Sequence, residues 1–280
     1  LFRSKVLLDD AISMGLAFEN PDINHGEHAF IPISSKKIRY GLGAIKGTGQ
    51  SAIEAIVQAR EKGGDFKSLF DFCARVDRNR LNKRAVEALI KAGAFDSIEP
   101  NRRALLEAVP LAFEYAQSIE QNALQTGLFD AEGDTHGSSS QEPSLSQAKP
   151  WSSREKLTHE KSAIGFHLTG HLFDEVSREI RHFAPRSLAT LSDQKEPQWL
   201  AGVVRGIRSI PTAKGRLNVF VIDDATASLE VSVEDGLFHR IKPLLVEDEL
   251  VVVLARAQVD RSEEHTSELQ SHSFISYAVF

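Results

Sequence analysis

The sequence predicts an α+β protein in which a helical domain, a linker and a β-rich domain follow one another along the chain. Its 280 residues suffice for roughly two domains, each with its own core. Helical periodicity broken by glycine turns dominates residues 36–105, and short apolar or alternating segments begin at Trp199. Between them, residues 131–150 are rich in Gly, Ser, Thr, Glu and Pro, which predicts a flexible linker.

Composition places the chain in the soluble globular class, with 41% hydrophobic and 26% charged residues. No stretch approaches the roughly 20 apolar residues of a membrane span, and no secretory signal is present. We therefore expect a cytoplasmic protein without a membrane partner. Cys73, the single cysteine, follows an apolar run and predicts a buried thiol rather than a disulfide or a cysteine-rich zinc site. The chain starts at Leu1 instead of Met, which predicts a fragment.

A glycine-rich turn lies near the start of the helical region. Gly47-Thr48-Gly49 follows Lys46 and precedes a helix predicted over residues 50–62. Glycines permit unusual backbone angles and remove bulk, so that an anion can approach the unpaired amides of the next helix N-terminus. A phosphate suits those amides and the positive end of the helix dipole, and Lys46 adds a full charge. This is the layout of a helix-hairpin-helix, which binds a nucleic-acid backbone without reading bases.

Charge distribution favours this interpretation. Residues 36–103 contain 15 Lys and Arg against 8 Asp and Glu, a net charge of +7. The whole chain carries −6, so everything outside this segment sums to −13. A basic segment in an acidic protein is the electrostatic footprint of a phosphate-binding surface. Taken alone, the Gly-x-Gly pattern would more simply be a loop that turns the chain.

A second hairpin unit follows the first. A helix predicted over Lys83–Ala92 ends at Gly93, and a cluster of arginines and lysines precedes it, so residues 36–105 are predicted to form a tandem of related units. The residues predicted to contact a DNA backbone are Lys46, Gly47, Thr48, Gly49, Arg78, Arg80, Lys83, Arg84 and Gly93.

A short motif lies at the edge of the linker, within residues 106–130. The preceding helix is predicted over residues 102–121 with an interruption or bend at Pro110, and Gln125, Leu128 and Phe129 follow. Gln-x-x-Leu-Phe is the peptide that bacterial proteins use to dock onto the sliding clamp. The two apolar side chains would fill a pocket while the Gln125 amide fixes the register by hydrogen bonds. An ordinary helix end that packs back on the helical domain is the alternative.

Residues 151–198 are predicted to be a helical connector, with a helical pattern over residues 151–177. His167 and His171 stand four apart, a spacing that can bind a metal ion on a helix. No third or fourth ligand is evident and Gly170 lies between them, so no metal site is assigned.

The β-rich domain is predicted at residues 199–260, with strands over 200–207, 216–222, 228–233 and 250–259. A long first hairpin and an Asp223-Asp224 turn are typical of an OB-type barrel. The aspartates predict a turn with local hydrogen bonds rather than a metal pair. The residues predicted to contact a single strand are Arg205, Arg208, Lys214 and Arg216, with solvated edge charges as the alternative.

The last segment, residues 261–280, is similar to the conceptual translation of a widely used DNA-sequencing adapter. We therefore expect the gene sequence to end near Asp260 and assign the tail no function. On this hypothesis the barrel is truncated and lacks a strand.

Taken in order, these features resemble the C-terminal part of the α subunit of bacterial DNA polymerase III. The resemblance covers residues 1–260. Its most specific pieces are Tyr-Gly-Leu-Gly-Ala-Ile-Lys-Gly-Thr-Gly at 40–49, Leu-Ile-Lys-Ala-Gly-Ala-Phe-Asp at 89–96 and Leu-Thr-Gly-His at 168–171. It implies the end of the fingers domain at 1–35, a duplex-binding domain at 36–105, a clamp-binding peptide at 125–129 and a partial OB-fold for single-stranded template at 199–260.

The resemblance also implies what the segment lacks. The complete relative would be a DNA-directed DNA polymerase, a nucleotidyltransferase whose palm carboxylates hold two magnesium ions. None of those carboxylates is assigned here, so no catalytic residue, metal site or cofactor is predicted and the fragment is expected to be inactive. The implied partners are duplex DNA, single-stranded template, the sliding clamp and other replicase subunits.

Two other classes remain open at the level of sequence. Hairpin and OB modules also occur in proteins of DNA repair and RNA handling, and a structural scaffold could use the hairpins to contact protein. The clamp motif favours the polymerase interpretation because neither alternative requires it.

Overall fold

The computed structural model describes residues 10–12, 14–129, 141–192, 196–212, 215–257 and 272–274. The chain divides into two compact units, one up to Thr169 and one from Gly170 onward. The first is mainly helical and the second is built on an antiparallel sheet, so the predicted α+β class is confirmed. Among the described helices, none is long and apolar enough to cross a membrane.

The first unit begins with a small three-stranded sheet. β1 (Ala17–Glu19) pairs parallel with β3 (Lys37–Arg39), and β2 (Ile31–Ser34) pairs antiparallel with β3. The short 3-10 helix Leu42–Ala44 leads from this sheet into the glycine turn.

Helices make up the rest of this unit. Side chains of Ser68, Asn82 and Ser152 each accept a hydrogen bond from a first-turn amide, which fixes where three of the helices begin. The helices are α1 (Gln50–Gly63), α2 (Leu69–Arg75), α3 (Lys83–Ala92), α4 (Arg102–Phe129) and α5 (Ser153–Ile164).

α4 differs from its prediction. It continues through Pro110 to Phe129, where the sequence predicted an interruption or bend at the proline and an end near residue 121. A proline within a helix removes one backbone hydrogen bond. Pro110 is exposed, so water can satisfy the carbonyl that loses its partner.

The sheet and helices of this unit share one hydrophobic core. Phe72 packs edge-to-face against Phe66 and Phe95, with ring centroids 5.0 Å apart in each pair. Cys73 is buried here, as predicted, and burial raises the pKa of its thiol to about 12. The end of α5 contributes three further residues to the same core, namely Ala163, Ile164 and Phe166.

The described end of the predicted linker is anchored rather than free. Leu145 packs against the core of the first unit. The Asn101 Nδ2 group donates to the carbonyl oxygen of Ala148 at 2.7 Å, and Ser146 Oγ donates to Glu107 Oε2 at 3.1 Å. The polar composition that predicted flexibility supplies these hydrogen bonds instead.

The connector is less helical than predicted. α5 ends at Ile164 because Gly165 takes a left-handed conformation, with φ of +109°, and donates its amide to Lys161 O. The pattern had predicted helix up to residue 177. In the described residues between Gly170 and the sheet, the second unit has the short helix α6 (Ser177–Ile180) and the 3-10 helix Leu188–Thr190.

A five-stranded sheet forms the second unit, in the order β7-β4-β5-β6-β8. Its pairs are antiparallel except for β6 with β8. β8 lies within the segment assigned to adapter read-through and adds a three-residue edge strand. The strands are β4 (Gln198–Thr212), β5 (Gly215–Asp223), β6 (Ser228–Val233), β7 (Leu250–Ala255) and β8 (His272–Phe274).

Both faces of this sheet bury apolar residues. One face packs against α7 (Asp235–Ile241) through Phe238 and Ile241. The other packs against Phe173 and Ala184 from the segment that precedes the sheet. A bulge at Gly206, with φ of +61°, shifts the register of β4 against β5, and residues 206–211 beyond it are exposed.

Candidate nucleic-acid interface

The first glycine turn is held from its inner side by a threonine. Thr48 is buried, and its Oγ1 lies 2.8 Å from the Leu42 carbonyl oxygen and 2.7 Å from that of Ile45, to one of which it donates. Gly47 has a left-handed φ of +84°, and a Cβ placed there would have no neighbour within 4 Å. The inner side of the turn is therefore fixed and the outer side is open. The Thr48 side chain supports the turn rather than facing a ligand.

The N-terminal end of α1 presents a group of amides in this turn. Gly49 is the N-cap residue and has no side chain to cap the helix, and no acidic residue lies in the first turn. Within the described part of the chain, the amides of Gly49, Gln50 and Ser51 have no hydrogen-bond acceptor, and all three residues are exposed. Such amides, with the positive end of the helix dipole behind them, form an anion-binding geometry. Gln50 and Ser51 were not predicted as site residues.

Lys46 is directed toward the protein. Its backbone amide donates to Ala163 O at 2.8 Å. Its Nζ donates to the carbonyl oxygens of Ser162 at 3.2 Å and Lys161 at 3.5 Å. These belong to the last four carbonyls of α5, which have no partner within the helix. The structure thus uses Lys46 at the end of α5, where the sequence predicted a phosphate contact.

Gly93 also has a role inside the fold. Its φ of +87° ends α3, and its amide donates to the carbonyl oxygen of Ile90 at 3.0 Å. A Cβ there would collide with the guanidinium of Arg102, which is 2% exposed and donates to both carboxylate oxygens of Asp96, at 2.7 and 2.6 Å. The Gly93 amide is satisfied and buried, so in this structure Gly93 caps α3.

Two of the predicted arginines pair with acidic neighbours. Arg78 is half-buried, with Nη1 3.4 Å from Glu120 Oε2 on α4. Arg80 lies 3.7 Å from Asp77, and both side chains are largely exposed. Exposed pairs of this kind are weak, so Arg80 can exchange its partner for a phosphate at little cost.

Lys83 and Arg84 are exposed predicted cations of the second hairpin unit. Both lie in the first turn of α3, where the helix dipole disfavours positive charge, and that turn contains no acidic residue. Lys83 Nζ lies 5.7 Å from the centre of the Phe113 ring. An arrangement that opposes local helix stability is typical of functional positions.

The clamp-motif residues are within the last turns of α4. The backbone is helical through Gln125, Leu128 and Phe129. Their side chains lie outside the described part of the structure, so the predicted docking contacts have no geometry here.

In the second unit, Arg205 belongs to a polar cluster. It is 17% exposed, its Nη1 donates to Asp248 Oδ1 at 2.8 Å, and its Nε lies 3.7 Å from Asp223 Oδ2. The amide of Phe173 donates to His171 Nδ1 at 3.1 Å, and His171 Nε2 lies 3.2 Å from Asp223 Oδ1 and 3.1 Å from Arg205 Nη2. Two carboxylates thus offset the Arg205 charge, and a single strand would have to compete with them for this side chain.

The Asp223-Asp224 turn is confirmed. The Asp224 carboxylate accepts from the amides of Thr226, Ala227 and Leu188 at 3.0 to 3.2 Å. Burial would raise the pKa of Asp224, but these hydrogen bonds outweigh it and hold the pKa below its usual value. For Asp223, burial is likewise outweighed, there by the hydrogen bond and charge of His171.

Other predicted cations of the second unit remain at the surface. Arg208 is 55% exposed and forms an ion pair with Glu230 of β6, and Arg216 is exposed near the end of the β4–β5 hairpin. Lys214 lies outside the described residues. The described residues also contain no group of three or more His, Cys, Asp and Glu side chains that could hold a metal ion.

Part of the chain matches a known motif, and most of it aligns with known proteins. A family model described as a helix-hairpin-helix motif matches residues 15–105, which include both glycine turns. Three proteins named DNA polymerase III subunit alpha align with 91% of the chain. Identities are 40% over 257 residues in Neisseria meningitidis serogroup A, 36% over 258 in Vibrio cholerae and 35% over 263 in Escherichia coli K12.

The resemblance to the DNA polymerase III α subunit is confirmed. The chain spans 22% of the length of these relatives, in agreement with the predicted resemblance to one part of that subunit. The helix-hairpin-helix match lies within the part of the chain that is similar to the α subunit. It ends at residue 105, near the start of α4.

A solved structure of RecG bound to a three-way DNA junction is 15% identical in sequence, with a TM-score of 0.24. The alignment covers 72% of this chain and 29% of the RecG chain. A likeness at that TM-score carries no argument about fold or ligand.

Proposed function

We propose that this chain is a segment of a replicative DNA polymerase that holds the phosphate backbone of DNA at the N-terminal end of α1. The observation that carries the proposal is the group of exposed, uncapped amides at Gly49, Gln50 and Ser51, beside the open turn at Gly47. Amides that point outward contact phosphate oxygens and carry no sequence information. The binding is therefore independent of base sequence and weakens as salt rises.

The cations of the second hairpin unit complete the proposed surface. Lys83 and Arg84 at the start of α3, with Arg80 before it, supply positive charge to a duplex backbone. Arg78 contributes less in this proposal, because it is half-buried and paired with Glu120. The relatives support the replicative interpretation over repair or RNA handling, since those compared are named as polymerase subunits.

Two finer roles belong to the same proposal. The motif Gln125, Leu128 and Phe129 tethers the chain to the sliding clamp, which raises the effective concentration of the polymerase at the primer end. The sheet of the second unit is a partial OB-type fold, and Arg208, Lys214 and Arg216 at its β4–β5 hairpin contact single-stranded template. Arg205 is excluded from this set by its carboxylate partners.

Catalysis is not assigned to this segment. In the complete polymerase, this part would bind and position DNA while the reaction takes place elsewhere.

A pair of substitutions at Gly49 tests the backbone-binding proposal. Gly49 has φ −80° and ψ 156°, angles that suit an N-cap Asp or Asn, and a Cβ there meets nothing within 4 Å. Gly49→Asp and Gly49→Asn place similar side chains over the amides, but only the aspartate repels phosphate. In duplex-binding titrations, we expect the Asp variant to bind at least about tenfold more weakly than the Asn variant.

Thermal unfolding of both variants provides the control, and their midpoints should match because both residues are good N-caps. Equal DNA affinities for the two folded variants would refute a phosphate site at α1.

A further inference from the structure

The turn that carries the proposed phosphate site depends on a helix far along the chain. Lys46 lies next to Gly47, yet its amide and its ammonium both bind the end of α5, with separations of 115 and 116 residues for the side-chain contacts. The helix-hairpin-helix match covers only residues 15–105, and α5 begins at Ser153, after the linker.

The contact satisfies groups that need partners. A helix leaves its last four carbonyls without intrahelical partners, and its C-terminal end favours a positive charge. Lys46 donates hydrogen bonds to three of those carbonyls, at Lys161, Ser162 and Ala163. The Gly165 amide also donates to Lys161 O. The Lys46 charge is therefore used within the protein.

Apolar packing holds the same junction together. Ala163, Ile164 and Phe166 belong to the core of the first unit, and the Phe166 ring lies 6.1 Å from that of Tyr40, on the strand side of the turn. The C-terminal end of α5 and the turn are thus fixed to each other by hydrogen bonds, a charge and core packing.

We propose that the end of α5 is a working part of the DNA-binding site, and that Lys46 is a positioning residue that holds the glycine turn so that the Gly49, Gln50 and Ser51 amides face the backbone. This inference rests on the proposed function. It assigns Lys46 an indirect role, through α5, in place of a direct phosphate contact.

The salt dependence of binding separates the two roles. Each phosphate contact by a cation contributes about 0.9 to the slope of log K against log salt on duplex DNA. Lys46→Met removes the charge and keeps most of the side-chain length. For a positioning residue, affinity falls by about three- to tenfold because the turn must be ordered on binding, while the slope is unchanged.

The full chain provides a matched control and a rescue variant. Lys62→Met removes an equal charge from an exposed residue at the other end of α1, roughly 20 Å from Gly49 at 1.5 Å per residue. It should change affinity less than Lys46→Met does. Lys46→Arg keeps a donor for the α5 carbonyls and should restore binding.

Hydrogen exchange measured without DNA gives the second readout. Lys46→Met should speed exchange of the hydrogen-bonded amides of the turn, at residues 46, 48 and 52, and of Gly165 at the end of α5, and Lys62→Met should not. If the parent chain binds no DNA, the proposed function is rejected, and faster exchange in Lys46→Met then shows only that Lys46 orders the turn. A slope reduced by about 0.9 would identify a direct phosphate contact, and unchanged affinity with unchanged exchange would show that Lys46 has no role; either result overturns the inference.

Discussion

At the residue scale, several predicted contacts turned out to serve the fold. Lysine, threonine and glycine near a turn suit phosphate, which is why the sequence predicts Lys46, Thr48 and Gly93 at the site. In the structure each of them contacts protein: the carbonyls at the end of α5, the carbonyls of the turn, and the capped end of α3. The sequence could not show this for Lys46, because its partners lie more than a hundred residues away.

Polar clusters were missed for the same reason. Arg205 looked like a surface cation of a strand, but its partners His171 and Asp248 are 34 and 43 residues distant. Local chemistry was predictable by contrast. The Asp223-Asp224 turn is held by hydrogen bonds within a few residues, which is the range over which a sequence pattern specifies structure.

Glu160 provides a pH-dependent test of the first unit's packing. It is fully buried on α5 and accepts from the amide and hydroxyl of Thr169 at 3.2 and 3.0 Å. Burial raises the pKa of Glu160 above its ordinary value, despite the opposing effects of these hydrogen bonds and of the charge of Arg102. The native state therefore holds its proton to higher pH than the unfolded chain does.

The protonated Glu160 carboxyl contributes its full stability below its pKa in the unfolded chain, about 4.3. That stability is lost as pH rises through the higher pKa of Glu160 in the native state. Glu160→Gln mimics the protonated carboxyl group and should therefore keep this stability at every pH. In urea unfolding, we expect the variant to gain stability relative to the parent as pH rises from 4 to 8. Glu61→Gln, at an exposed site on α1, is the control. A constant difference between Glu160→Gln and parent across this range would contradict the account.

At the element scale, the sequence predicted regular structure well where periodicity and caps agree. The predicted bounds of α3 match the structure because Asn82 caps one end and Gly93 the other. Prediction was poorer where tertiary packing decides, as in the continuation of α4 beyond Pro110 and the anchored residues 145–148. Composition alone had marked those residues as flexible.

The end of α4 carries the proposed clamp tether. Leu128→Ala/Phe129→Ala removes both apolar anchors, so binding to purified bacterial sliding clamp should fall by more than tenfold, as for central anchor residues of an interface. Duplex affinity should stay as in the parent, because the proposed phosphate site is on α1. Surface plasmon resonance on immobilised clamp provides the measurement, with Gly49→Asp as the converse control that loses DNA and keeps the clamp. Clamp binding that survives the double substitution would remove the tether from the account.

At the scale of the whole molecule, basic and acidic regions are separated along the chain. The segment 36–103 carries +7 while the remainder carries −13, so an acidic chain has a local excess of positive charge, which suits the proposed contact with DNA. This distribution and the similarity to polymerase III α subunits were visible in the sequence. Which groups face outward was not, because exposure depends on how α5 and α4 pack around the turns.

The most direct test is an amide NMR titration of the chain with a short DNA duplex. We predict downfield shifts for the amides of Gly49, Gln50 and Ser51 as they bind phosphate, which diminish as salt rises, with the Lys62 end of α1 unchanged. A second duplex of unrelated sequence should move the same amides. If those three amides stay in place while resonances elsewhere shift, the proposed backbone-binding site at α1 is wrong.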